Sequence, residues 1–125
     1  MDKRKILVAE DDGFISEMYY VKLSASNFEV IIASDGKEAF KKFKENKPGV
    51  VLLDIMMPEL NGWEVLEKIR EEDSEKKVVV IMLTNLGDKK NIDKALSAGA
   101  DDYLIKSFFT PEEVVRKVED LLKTK

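Results

Sequence analysis

The 125-residue chain has 21 basic and 25 acidic side chains, a formal net charge of -4 and 44% apolar residues, which suits one compact domain spanning 1–125 and offers no global positive field for direct nucleic-acid binding or anionic lipid. It contains no Cys and no His, so disulfides, thiol chemistry, an imidazole base and zinc sites built on either residue are excluded; the lack of Cys fits a cytoplasmic protein. The N-terminal apolar run Ile6-Leu7-Val8-Ala9 is too short for a signal peptide or for membrane insertion.

Short apolar runs then alternate with amphipathic stretches. Lys5–Ala9 reads as a strand, and Ile15, Tyr19 and Leu23 share one helix face. A second strand is expected over Phe28–Ala33, followed by Gly36 at a helix entrance and Ala39, Phe40 and Phe43 at helical spacing. Val50–Leu53 is a wholly apolar strand, and Leu66 and Ile69 belong to the next helix. The charged run Glu71–Lys77 is expected as a solvated loop before a strand over Val78–Leu83. Ile92 and Leu96 mark a fourth helix that exits at Gly99, and Tyr103–Ile105 a fifth strand. Thr110 as N-cap, Pro111 at the first helical position and Glu113 three residues after the cap open a last helix, with Val114, Val118, Leu121 and Leu122 on its apolar face. The alternation predicts an α/β domain with a parallel sheet and right-handed crossovers.

In such a sheet Glu10-Asp11-Asp12, Asp54, Thr84 and Lys106 all fall at the carboxyl ends of strands, the edge where ligands bind. Each has a plainer reading. The first three acids can cap a helix, Thr84 can be a strand-end hydroxyl, and Lys106 can simply neutralise the cluster. Asp54 is harder to explain structurally, because a carboxylate closing an apolar strand loses hydration unless a cation faces it. Clustered carboxylates without His or Cys make an all-oxygen environment suited to Mg2+. Asp11, Asp54 and a main-chain carbonyl just beyond Asp54 would leave positions for water and a phosphoryl oxygen. Lys106 and Thr84 supply the charge and the hydroxyl donor that would hold such a group, with Asp54 as nucleophile.

The runs Ile6–Asp12, Val51–Gly62, Met82–Thr84 and Gly99–Lys106 together resemble the response-regulator receiver domain of two-component signalling, of the chemotaxis-regulator type, over nearly the whole chain. That resemblance implies a doubly wound (βα)5 three-layer sandwich, flavodoxin-like, with sheet order 2-1-3-4-5. It implies that Asp54 is the phosphorylation site, receiving phosphate from a phosphohistidine on a sensor histidine kinase or histidine phosphotransfer protein. Asp11 and, largely through water, Glu10 would hold Mg2+, for which Mn2+ is a possible substitute, with the main-chain carbonyl of Met56. Thr84 and Lys106 would bind the transferred group, Pro58 and Gly62 would shape the adjoining loop, and Thr84 and Tyr103 would form the switch. Transfer from the donor and autodephosphorylation are expected, rather than the turnover of a metabolic enzyme.

Two positions depart from the family pattern. Asn85 follows the threonine where a small residue is usual, and is expected to alter access of the phosphodonor or of water, or to bind the phosphoryl group. Ser107 follows the lysine where proline is usual, so the Lys106–Ser107 bond is expected to be trans. Output from a single domain would be by contact, through the surface of the fourth helix, fifth strand and fifth helix. Asp101, Asp102 and Arg116 there are candidates for a phosphorylation-dependent homodimer face, and a separate downstream protein would use the same surface. The competing functions are a Mg2+-dependent phosphohydrolase that forms a phosphoaspartate, and a phosphorylation-independent protein-binding scaffold.

Overall fold

In a computed structural model that describes residues 3–124, five strands and five helices alternate along the chain. They are β1 (Arg4–Ala9), α1 (Gly13–Ala25), β2 (Phe28–Ala33), α2 (Gly36–Asn46), β3 (Val50–Leu53), α3 (Gly62–Glu72), β4 (Val79–Thr84), α4 (Lys89–Ser97), β5 (Asp102–Ile105) and α5 (Pro111–Thr124). A 3-10 turn, Lys106–Phe108, joins β5 to α5. All strand pairs are parallel, in the order β2-β1-β3-β4-β5. This is the doubly wound, flavodoxin-like (βα)5 fold implied by the sequence. Among the described residues no helix is long and apolar enough to cross a membrane.

The period of two along each strand divides the core between the faces of the sheet. Leu7, Val51, Leu53, Val80 and Met82 point to the layer of α2, α3 and α4, packing with Phe43, Val65, Leu66, Ile69 and Ala95. Ile6, Val8, Val50, Leu52, Ile81 and Leu83 point to the layer of α1 and α5, against Tyr19, Leu23, Val114 and Val118. Right-handed crossovers account for this division. The chain travels one way from β1 to β2 and the other way from β2 through to β5, so α1 lands on one face and α2, α3 and α4 on the opposite one. The reversal of direction leaves a crevice at the carboxyl ends of β1 and β3.

Most expected strands differ from the observed ones by a residue at an end, and β4 shows why. Val78 was expected to open it, but its backbone is held by side chains. Its N–H donates to Asp73 Oδ2 at 2.9 Å and its carbonyl accepts from Arg70 Nη1 at 2.8 Å. The ladder therefore begins at Val79 and runs on to include Thr84. The charged run Glu71–Lys77 is likewise only partly loop: Glu71 and Glu72 complete α3, and the Asp73 carboxylate also accepts from Lys77 N–H at 3.1 Å.

Arg70 organises this end of α3. Its Nε donates to the Gly99 carbonyl at 2.8 Å, Nη1 to Asp73 at 3.0 Å and Nη2 to Asp101 at 2.9 Å. Asp101 in turn accepts from the Val80 N–H at 2.8 Å.

The segment between Asp54 and α3 is clasped by two glycines. Gly36 N–H donates to the Pro58 carbonyl at 3.2 Å and Gly62 N–H to the Ile55 carbonyl at 2.8 Å. A Cβ on Gly36 would stand 1.8 Å from the Leu60 carbonyl oxygen, and one on Gly62 would stand 2.3 Å from the Asp54 carbonyl oxygen. Neither space admits a side chain.

Candidate functional site

β1 and β3 are central strands, and their carboxyl ends deliver acids to the crevice. Asp54 N–H continues the ladder by donating to the Ala9 carbonyl at 3.1 Å, which leaves the residue buried, 7% exposed, beyond the last apolar pair. Glu10, 4% exposed, is fixed by its own N–H to the Ala33 carbonyl at 3.0 Å and by the Asp12 N–H to its Oε2 at 3.1 Å. Asp12, which also lines the crevice, caps α1, accepting from Phe14 and Ile15 N–H at 2.9 and 3.2 Å. Asp12 thus provides the cap, while its exposed neighbour Asp11 also lines the crevice.

Glu10, Asp11 and Asp54 each place a carboxylate oxygen within 4.8 Å of the others. Such an all-oxygen set, with the Met56 backbone beside it in the same pocket, fits a small hard cation. Met56 N–H donates to Asp54 Oδ1 at 3.3 Å, and its side chain is exposed.

From β5, Lys106 Nζ reaches across to pair with both buried acids, Asp54 Oδ2 at 2.7 Å and Glu10 Oε1. Burial works against the charged lysine, but its hydrogen bonds to Asp54 and Glu10 and their negative charges outweigh it, raising its pKa. For Glu10 burial dominates and pushes the carboxyl up, although Lys106 and the Asp12 N–H pull the other way. The lysine supplies the counter-charge that two neighbouring buried carboxylates require.

Thr84, 2% exposed, ends β4 in the same crevice, its hydroxyl oxygen accepting from Leu86 N–H at 3.4 Å. Half-buried Tyr103 donates its hydroxyl to the Leu86 carbonyl, tethering β5 to the β4–α4 loop. The structure thus brings together Glu10, Asp11, Asp54, Met56, Thr84 and Lys106, with Tyr103 one residue of loop away.

Asp101, Asp102 and Arg116 lie apart from this crevice. The Asp101 carboxylate is engaged by Arg70 and Val80, and Asp102 accepts from Tyr103 N–H at 2.8 Å, whereas Arg116 is exposed.

The Lys106–Ser107 peptide is trans. Ser107 N–H, which proline would lack, donates to Asn85 Oδ1 at 3.1 Å. Asn85 and Ser107 each depart from the family pattern in their own segment, and their contact joins loops 22 residues apart.

Residues 6–119 match the family described as "Response regulator receiver domain". The "Probable transcriptional regulator ycf27" of Porphyridium aerugineum is 40% identical over 123 residues, covering 98% of this chain and 50% of that protein. The chain spans about half the length of the curated relatives it matches. Among solved structures, a CheY-like receiver domain protein of Methanospirillum hungatei JF-1 has a TM-score of 0.90 at 29% identity, over 98% of this chain and 95% of that one. A chain of the CheX-CheY-BeF3-Mg+2 complex of Borrelia burgdorferi has a TM-score of 0.86 at 29% identity, over 94% of this chain and 88% of that one. Sheet order, the acids at the switch point and these likenesses agree: the chain belongs to the response-regulator receiver domain family of two-component systems.

Proposed function

We propose that this domain is a phosphorylation-controlled switch in which Asp54 receives a phosphoryl group from a phosphohistidine on a sensor histidine kinase or histidine phosphotransfer protein. The observation that carries this reading is the placement of Lys106 Nζ between Asp54 and Glu10 at the ends of three strands. It gives a buried nucleophilic carboxylate a fixed cationic partner beside an oxygen-only cation site. One Asp54 carboxylate oxygen attacks phosphorus, forming the acyl-phosphate bond. The P–N bond of the donor breaks, and its electron pair returns to the imidazole. Lys106 then holds a phosphoryl oxygen, and the Thr84 hydroxyl, freed to rotate, donates to another.

Glu10, Asp11, Asp54 and the Met56 carbonyl are the groups that would hold Mg2+, or Mn2+ in its place. The cation supplies charge neutralisation for the transferring group. Engagement of Thr84 would draw on the β4–α4 loop, to which Tyr103 is tied through Leu86, and so reach the α4-β5-α5 surface. A downstream protein or a second copy of this chain would read that surface. With the Asp101 carboxylate engaged by Arg70 and Val80, Asp102 and Arg116 are the remaining two of the three candidate charges for such a dimer. On the other side of the crevice, Phe14, Met18 and Val21 lie on one exposed face of α1 and offer apolar contact to a donor protein.

The test is titration with beryllofluoride, a phosphoryl mimic, in the presence and absence of Mg2+, followed by solution size. Saturable Mg2+-dependent binding that disappears in Asp54→Asn is expected, with a change in partner binding or mass. Equal partner affinity in parent and Asp54→Asn, and no aspartyl phosphate from any donor, would favour the scaffold reading instead. Multiple-turnover hydrolysis of a metabolite phosphate would favour the phosphohydrolase.

A further inference from the structure

Asn85 and Ser107 lie at the ends of β4 and β5, one residue beyond Thr84 and Lys106. Asn85 lines the pocket that contains Asp54, Thr84 and Lys106. Its amide has one oxygen, which accepts, and one NH2 group, which donates twice. The oxygen is turned to the Ser107 N–H at 3.1 Å. That N–H belongs to the first turn of the Lys106–Phe108 3-10 segment, a donor for which the turn has no acceptor of its own. The bond therefore settles which way round the Asn85 amide stands: its oxygen is spent on the β5–α5 loop, and what it has left is the donor group.

We propose that Asn85 is an additional phosphoryl-binding residue, its NH2 donating to a phosphoryl oxygen on Asp54, and that the Ser107 backbone N–H is the positioning group that orients it. The inference rests on the phosphoacceptor reading of Asp54. An anion already paired with Lys106 gains from a further neutral donor, and a donor held in place beforehand loses little freedom on binding. The same bond ties the residue after Thr84 to the residue after Lys106, so three phosphoryl ligands share one support. Proline at 107 would remove the N–H and release the amide to turn either way.

Beryllofluoride affinity with saturating Mg2+, with circular dichroism confirming folding, separates the possibilities. Asn85→Ala is expected to weaken binding about ten- to a hundredfold, the scale of one hydrogen bond to a charged group. Asn85→Asp keeps an oxygen for the Ser107 N–H but replaces the donor with a negative charge, and is expected to bind more weakly than Asn85→Ala. Ser107→Ala retains the N–H and is expected to match the parent, whereas Ser107→Pro should fall to the level of Asn85→Ala. The double variant Asn85→Ala/Ser107→Pro should be no weaker than either single one. Parent-like affinity in Asn85→Ala or Asn85→Asp overturns the inference, as do additive losses in the double variant. If the parent binds in an Asp54-dependent way while Asn85→Ala is silent, the assignment of Asn85 alone fails. A parent that does not bind beryllofluoride overturns the Asp54 reading and this inference together. Because Asn85→Ala and Asn85→Asp leave residue 107 intact, a misfolded Ser107→Pro does not remove the test.

Discussion

Arg70 shows how much of this fold hangs on one side chain. Its guanidinium, 9% exposed, joins α3 to the residues before β4 and β5 through two backbone carbonyls and two carboxylates. The planar fork with five donors suits four differently directed acceptors in a way a lysine cannot. Arg70→Ala leaves Asp73 and Asp101 without their shared cation, and partly buried charges that lose a partner are costly. A loss of about 3 kcal/mol is expected in urea unfolding, and Arg70→Lys should recover less than half of it. A loss indistinguishable from that of an exposed pair such as Lys77–Glu75 would show that the network contributes little. Nothing in the local sequence announces Arg70: its partners at Gly99 and Asp101 are 29 and 31 residues away. The neighbouring Glu and Lys residues offer equally plausible surface charges. Asp54, by contrast, was legible because an acid at the end of four apolar residues contradicts its surroundings unless it has a use.

At the scale of elements, α5 carries its own start signal. Thr110 Oγ1 accepts from Glu113 N–H at 3.2 Å, and the Glu113 carboxylate accepts from Thr110 N–H at 2.9 Å. Helix starts of this type depend on groups three residues apart, so the sequence alone displayed both partners. Thr110→Ala is expected to cost about 1 kcal/mol in urea unfolding. The Thr110 backbone N–H holds the Glu113 carboxyl below its ordinary value of 4.5. A lowered folded-state pKa means that as pH falls the unfolded chain takes up the proton first. Glu113 therefore adds its stability above that ordinary value and loses it as pH drops through the lowered one. The stability difference between parent and Glu113→Gln should accordingly be largest near neutral pH and close in acid; a difference independent of pH would discount the charged cap. The Asn85–Ser107 contact was hidden for the opposite reason. Each residue stood out in its loop, but only the parallel arrangement of β4 and β5 makes those loops neighbours.

For the molecule as a whole, the division of residues between two helical layers follows from strand alternation together with a single reversal of chain direction. Apolar runs indicated the strands, but their nearly continuous hydrophobicity concealed which residue faced which layer. That assignment needs the register, such as Ile6 beside Val50 and Leu7 beside Val51. The site inherits its rigidity from the same arrangement, since Glu10, Asp54, Thr84 and Lys106 all stand at the ends of paired strands, the first two on β1 and β3.

The clasp around the segment after Asp54 has a consequence for heredity. A core leucine can be exchanged for methionine or isoleucine with some repacking, because flexible neighbours can give way. At Gly36 and Gly62 the obstacle is backbone oxygen, and it meets the first carbon of any side chain, alanine included. If every position were randomised and the population selected for signalling, 36 and 62 should tolerate fewer substitutions than buried positions such as Leu52. Survival of alanine at either position as freely as methionine at Leu52 would contradict this. Two of the codons least free to drift would then specify no chemistry: they encode the absence of an atom, and through it the place where the phosphate is expected to land.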